Sequence, residues 1–265
     1  MKGNRQKRRQ KGQFFVEGVR SINQLRRRPD WRVDALLYSA ERRRSGWARD
    51  VLSEIDTPVH LELTDSLMEK LSDKEEPSEI LAVVRIPDRG ASDLRLAGTG
   101  LLVVLDRASN PGNLGSILRS CDAFGVGGVV LTGHSVDPYD PVVIRASVGA
   151  FFSVPVVELA GRQELDAWLG ELERAVPSLL ILGTSAKATD PLSDCGLAGP
   201  AVLCFGNETM GLSAWLKTRC HRLAGIPMRG VATSLNLACA VTAVLYEADR
   251  QRAGSRATGR GMPNP

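Results

Sequence analysis

The chain has 265 residues, 43% of them hydrophobic, with 34 Lys and Arg against 30 Asp and Glu for a formal net charge of +4. At roughly 100–200 residues per domain this predicts one or two domains with ample core, and no apolar run approaches the ~20 residues that cross a bilayer. The basic start, residues 1–12, lacks the apolar core of a signal peptide, so a cytoplasmic location with no membrane association is expected.

Charge is concentrated at the front. Lys2, Arg5, Lys7, Arg8, Arg9 and Lys11 crowd the first dozen residues without an acid, and Arg26–Arg28 and Arg42–Arg44 follow. Such runs suit phosphate neutralisation, the sequence-independent part of nucleic-acid affinity. Arg8, Arg9 and Arg20 are the candidate RNA contacts of this region, and residues 1–12 are read as a basic tail.

Residues 13–87 read as a small α/β unit. Phe15, Val19, Ile22 and Leu25 fall at helical spacing over residues 14–25. A strand at 33–38, a helix at 48–55, a strand at 58–63, a helix to 71 capped by Thr64 or Asp65, and a strand at 80–86 follow. Residues 88–100, with three glycines and little periodicity, are the linker.

From residue 101 the pattern changes. Residues 101–105, Leu-Leu-Val-Val-Leu, form the continuous apolar run of a parallel strand buried on both faces. Helix at 113–124, strand at 128–132, helix at 142–152, strand at 155–159, helix at 165–176, strands at 179–182 and 201–205, helix at 213–219, strand at 223–227 and helix at 234–250 complete the alternation. This predicts a mostly parallel, doubly covered sheet over 101–251. Residues 252–265, rich in Gly, Arg and Pro, are read as a disordered tail.

Ligands of open α/β sheets bind outside the carboxyl ends of the strands, and three loops there are unusual. Asn110–Arg119 opens a helix whose free N–H groups suit an anion; taken alone, the pattern favours an ordinary helix cap with a surface arginine. Phe205–Ser213 sets Glu208 between Gly206 and Gly211, and is equally an ordinary strand-to-helix turn. Ile226–Asn236 leads into the last helix with Ser234 or Thr233 as natural cap, and puts Asn236 at what reads as a buried helix start, where an amide needs partners. There is no GxxxxGK[ST], no GxSxG, and no GxGxxG between a strand and a helix. The five cysteines form no CxxC, and His60, His134 and His221 complete no cluster, so no metal is expected.

Together, NPGNLGSILRSCDAFGV, LCFGNETMGLS and IPMRGVATSLNLACAVTAVLYE resemble, in order and in position, the TrmH-like RNA ribose 2′-O-methyltransferases of the SPOUT class. The first third is similar to the L30e-like RNA-binding domain of the ribosomal-RNA members, through Phe14-Phe15-Val16-Glu17-Gly18-Val19. The resemblance implies an α/β fold whose C-terminal domain carries a deep trefoil knot, and a homodimer with active sites completed across subunits. The cofactor would be S-adenosylmethionine, held by Gly206, Ile226 and Leu235 with Met228 and Thr184 lining the pocket. Arg119 matches the catalytic arginine and Asn113 its companion; Glu208, Ser234 and Asn236 match further active-site positions, and Arg145 an RNA-contacting arginine. Ribosomal RNA is the expected substrate, with transfer RNA, or a non-catalytic RNA-binding or ribosome-assembly protein on the same fold, as alternatives.

Overall fold

A computed structural model describes residues 2–72, 74–94, 96 and 100–259. In chain order its elements are α1 (Arg5–Lys11), β1 (Gln13–Glu17), α2 (Val19–Arg26), β2 (Val33–Ser39), α3 (Gly46–Glu54), β3 (His60–Leu63), α4 (Asp65–Leu71) and β4 (Ile80–Arg85). Then follow β5 (Leu101–Asp106), α5 (Pro111–Ala123), β6 (Val129–Thr132), α6 (Pro141–Ala146), β7 (Val156–Leu159), α7 (Arg162–Ala175), β8 (Leu180–Thr184), β9 (Ala201–Gly206), α8 (Ala214–Arg219), β10 (Arg222–Ala224) and α9 (Leu237–Gly259). The contacts divide the chain into two units. The first is the chain to Asp88 together with Pro111–Arg119 and Asp137–Ser153, and the second is Arg89–Asn110, Ser120–Val136 and the chain from Val154.

In the first unit a four-stranded sheet runs β1-β4-β2-β3, with β4 antiparallel to both its neighbours and β2 parallel to β3. Strand side chains alternate between faces. Ala35, Leu37, Leu81 and Val83 bury one face with Met68 of α4. On β1, Phe14 and Val16 are fully buried, and Phe14 packs in a ring cluster with Trp31, Tyr139 and Phe151. This corrects the single helix expected over 14–25: residues 13–17 alternate as a strand, and Gly18, at φ 103°, turns the chain into α2.

The expected basic tail is a helix, α1. Asn4 caps it, accepting from the Lys7 amide at 2.9 Å, and Gly12 ends it at φ 62°. The single helix expected over 142–152 is broken. α6 stops at Ala146, Val148 and Gly149 take φ of 54° and 96°, and Ala150–Phe152 form a 3-10 turn. A side chain at Gly149 would meet Gln24 Cγ at 2.8 Å, so α2 packs directly on that turn.

The second unit is a six-stranded, wholly parallel sheet in the order β10-β8-β9-β5-β6-β7. Leu102, Val104, Val130, Ile181, Val202 and Cys204 bury one face with Leu165, Trp168 and Leu169 of α7 and Leu216 of α8. Residues 252–259, expected in a disordered tail, continue α9, and Arg252 is buried with its guanidinium on the Gly199 carbonyl at 2.5 Å. Residues 260–265 of that tail, like 95 and 97–99 of the linker, lie outside the described residues. No helix among the described residues is long and apolar enough to cross a membrane.

Candidate active site at the β5 and β9 strand ends

From β5 the chain builds outward through β6 to β7, then returns to place β9 on the other side of β5. The carboxyl ends of β5 and β9 therefore flank a topological switch point, where an open α/β sheet leaves a crevice. Asp106 and Gly206 are paired there.

Four sets of bonds fasten the loop after β9 to the loop after β5. Buried Asp106 accepts from the Ser213 amide at 2.7 Å and from Arg107 Nε at 3.0 Å. Arg107 Nη2 donates to the Gly211 carbonyl at 3.0 Å. Asn207 Nδ2 donates to the Arg107 carbonyl at 2.8 Å, while Asn207 Oδ1 accepts from the Thr209 and Met210 amides. Glu208 accepts from the Ser109 hydroxyl at 2.9 Å and from the Ser109 and Asn110 amides. Its carboxylate thus sits on the residues that lead into α5, where an anion is favoured. A Cβ on Gly206 would lie 2.0 Å from Gly211 C and Leu212 N, so no larger residue fits this turn.

β8 ends beside β9, and Thr184 Oγ1 donates to the Cys204 carbonyl at 3.2 Å. After β10, Gly225 lies where a Cβ would meet the Ala188 carbonyl oxygen at 2.8 Å, and its amide donates to the Asp190 carbonyl at 2.9 Å. Beyond it residues 227–236 are all exposed, Met228 at 37% and Leu235 at 40%. Among the described residues none of 226–235, which include Ile226 and Ser234, makes a hydrogen bond with the protein. Asn236 is exposed rather than buried, and it is Asn236, not Ser234 or Thr233, that caps α9: its Oδ1 accepts from the Ala238 amide at 2.9 Å. The helix starts at Leu237, three residues later than the apolar pattern suggests, because residues 234–236 stay outside it.

Behind β10 a charged cluster holds α7, α8 and the start of β10 together. Arg219 donates to both oxygens of Glu173 and to Asp166 at 2.8 Å. His221 Nδ1 accepts the Ile181 amide at 3.2 Å, so Nε2 carries the proton and donates to Glu173 Oε1 at 2.7 Å. The bonds from Arg219, then that from His221, hold the Glu173 carboxyl below the usual carboxylate range. The hydrogen bond with the Cys220 thiol, and then burial, push the Cys204 thiol well up, so it is an inert core sulfur.

The other candidates belong to the first unit. Asn113 is half-buried in the first turn of α5. Arg119, further along α5, is exposed and has no hydrogen-bond or ion-pair partner among the described residues. Arg145 is exposed in the last turn of α6, and Arg20 is exposed on α2. A Cβ on Gly115 would meet Ala146 Cβ at 2.5 Å, so α5 and α6 touch through backbone one turn before Arg119 and next to Arg145. A glycine inside an apolar helix, as Gly115 is, is the sequence signal of such an approach. Arg9 is 42% exposed, near Asp137 at 3.8 Å and over the Tyr139 ring. Arg8 does not serve as a surface phosphate contact: it is 2% exposed, with Nε on Asp137 Oδ2 at 2.8 Å, Nη1 on the Lys2 carbonyl and Nη2 3.4 Å from Asp140. Asp140 caps α6, so Arg8 ties the first helix to the segment that carries Arg145. Among the described residues no group of three His, Cys, Asp or Glu is placed to hold a metal ion.

Residues 100–246 match the model of the SpoU rRNA Methylase family, and residues 1–82 that of the SpoU L30e-like domain. The chain is 40% identical, over 96% of its length and 88% of the relative's, to the 23S rRNA (uridine(2479)-2′-O)-methyltransferase of Streptomyces viridochromogenes. It is 26% identical, over 88% of its length and 87% of the relative's, to the 23S rRNA (guanosine(2553)-2′-O)-methyltransferase RlmP of Bacillus subtilis. Among solved structures it resembles the SpoU methyltransferase AviRb of Streptomyces viridochromogenes in complex with AdoMet, with a TM-score of 0.90 and 39% identity over 95% of each chain.

Proposed function

Because the chain belongs to the SpoU rRNA methylase family, we propose that it transfers the methyl group of S-adenosylmethionine to a ribose 2′-hydroxyl of ribosomal RNA. The observation that carries the reading is the pair of loops at the strand ends. Residues 206–213 are stitched to the end of β5, and residues 226–235 present a run of backbone groups without protein partners beside apolar Met228 and Leu235. Uncommitted backbone donors and acceptors with apolar side chains suit a ligand that has an adenine ring, a ribose and an amino-acid end. Gly206, Ile226 and Leu235 would hold it through backbone groups, with Met228 and Thr184 on the wall. When bound, the cofactor supplies a methyl group on a sulfonium, open to in-line attack.

The residues of the chain then have to hold the RNA and its hydroxyl. A guanidinium stays protonated, its pKa above ~12, so we assign Arg119 to the phosphate and ribose next to the target rather than to proton removal. Its exposure and lack of a protein partner support that assignment. Asn113, Ser234 and Asn236 complete the set that orients the ribose. Glu208 acts by shape: its carboxylate is already bonded to residues 109 and 110, so it holds the loop that follows β5. Arg9, Arg20 and Arg145 extend the phosphate contacts. A second copy of the chain would cover exposed apolar Met210, Val231 and Tyr246, and the last segment would be threaded as a trefoil knot, as in the family. A cytoplasmic location fits a ribosomal substrate.

Mapping 2′-O-methyl sites in RNA from cells with and without the gene tests the reading, and one site lost from ribosomal RNA is the expected result. Loss from transfer RNA would move the substrate. The absence of measurable S-adenosylmethionine affinity by calorimetry would leave a non-catalytic RNA-binding protein. Arg119→Ala should lower kcat by roughly 100-fold or more, the scale of one lost transition-state contact, with unchanged cofactor affinity. Near-wild-type turnover would remove Arg119 from the mechanism.

A further inference from the structure

Arg107 follows the last residue of β5 and takes a φ of 60°. An L residue other than Gly or Asn seldom adopts that conformation, and its cost has to be offset by contacts that need it. Both ends of the residue are used. The left-handed turn aims its carbonyl at Asn207 Nδ2, 2.8 Å away. Its guanidinium grips Asp106 edge-on, Nε on Oδ1 at 3.0 Å and Nη2 on Oδ2 at 3.2 Å, and Nη2 also reaches the Gly211 carbonyl at 3.0 Å. One side chain thus bridges a buried carboxylate and the far end of the 207–211 turn. Asp106 Oδ2 in turn holds the Ser213 amide at 2.7 Å.

A second feature makes room for it. Gly133, itself at φ 67°, lies where a Cβ would be 2.7 Å from Arg107 Cγ. The stem of Arg107 therefore runs across a position that only glycine leaves open. A lysine could neutralise Asp106, but a single ammonium has no planar fork to grip the carboxylate and the carbonyl together.

We propose that Arg107 is a positioning residue that holds the 207–211 turn in the shape the cofactor requires, and so sets cofactor affinity without touching the RNA. The proposal rests on the reading of this loop as part of an S-adenosylmethionine site.

Hydrogen exchange on the full chain without cofactor tests the clamp directly. In Arg107→Gln, amides of residues 207–211 should exchange about tenfold faster, the equivalent of one charge-assisted hydrogen bond, with the β5 and β9 amides unchanged. Calorimetry should show S-adenosylmethionine Kd raised about tenfold, and kinetics a raised KM for the cofactor with an unchanged KM for RNA. Arg107→Lys should fall between Arg107→Gln and wild type. Arg107→Gly, which relaxes the backbone but removes the fork, should bind cofactor as weakly as Arg107→Gln. Wild-type exchange in Arg107→Gln, or wild-type affinity in Arg107→Gly, would overturn the proposal. If the wild-type chain bound no S-adenosylmethionine, the functional reading would fall, and the exchange measurement would still decide whether Arg107 clamps the turn.

Discussion

Arg8 lies in the most basic stretch of the chain and makes one of its most buried ion pairs, with side chains 2% exposed for Arg8 and 5% for Asp137. In Arg8→Met, Asp137 would keep the Tyr139 amide at 3.1 Å and the more distant Arg9 at 3.8 Å. Removing one partner of a buried pair costs about 3–5 kcal/mol, because the other charge stays desolvated. The nearby Arg9, 42% exposed and 3.8 Å from the same carboxylate, puts the expected loss at the lower end, about 3 kcal/mol. Helix α1 has seven residues, too few to hold its shape unaided, so it should come off with the pair. Urea unfolding followed by tryptophan fluorescence would measure this, with Trp47, Trp168 and Trp215 replaced by Phe so that the signal comes from Trp31, which stands in the ring cluster with Phe14 and Phe151. Arg8→Met with Asp137→Asn keeps the acceptor for Tyr139 and removes both charges, and it should recover at least half of the loss. That double variant should also leave the salt dependence of RNA binding unchanged, whereas Arg9→Gln should reduce the slope by about one phosphate contact. A cost for Arg8→Met below about 0.5 kcal/mol, the range of an ordinary surface change, or a double variant that flattens the salt slope as Arg9→Gln does, would refute a structural role for the buried pair.

Two further predictions concern the frame of the site. Gly206→Ala would put a Cβ 2.0 Å from the backbone at Gly211 and Leu212. It should cost about 3 kcal/mol or more and abolish cofactor binding by calorimetry; a variant as stable as wild type would mean that the turn moves freely. Glu173 is held below its ordinary range by Arg219 and His221, so its stabilisation is present above its unfolded value of about 4.3 and is lost as pH falls through the folded value. Glu173→Gln should therefore cost about 1 kcal/mol near pH 7, as expected for a pair partly screened by water, and nothing at the acid end. Equal urea midpoints for the two proteins near pH 7 would exclude the effect.

The parallel sheet was legible because strands buried on both faces leave continuous apolar runs, as in residues 101–105 and 201–205. The first unit was less so. Residues 13–17 serve two different cores on alternate side chains, and their apolar positions also fit a helix. The break at Val148 and Gly149 answers to Gln24 and Arg20, more than a hundred residues earlier, and no local pattern carries such a contact. At the site, the motifs located the loops, while the tasks of individual residues came from tertiary partners. Glu208 shows in the sequence only as a carboxylate between two glycines and is bonded to residues 109–110; Asn236 looks buried and caps a helix at the surface; Arg8 and Arg9 are adjacent in a basic run, and only the second faces water.

The pairing of β5 with β9 also governs how the domain can fold. The register sets Leu101 beside Ala201 and Asp106 beside Gly206, so the central seam of the sheet joins segments about a hundred residues apart. Closing a loop of that length costs about 4 kcal/mol of chain entropy, whereas β5, β6 and β7 associate over much shorter spans. On a ribosome, the outer strands can gather as they emerge, but Asp106 meets Ser213, and Arg107 meets Gly211, only once the later segment has been made. Intermediates trapped before that event would hold β5, β6 and β7, half of the six strands, and none of the stitched turn, with the edge of β5 open to other chains.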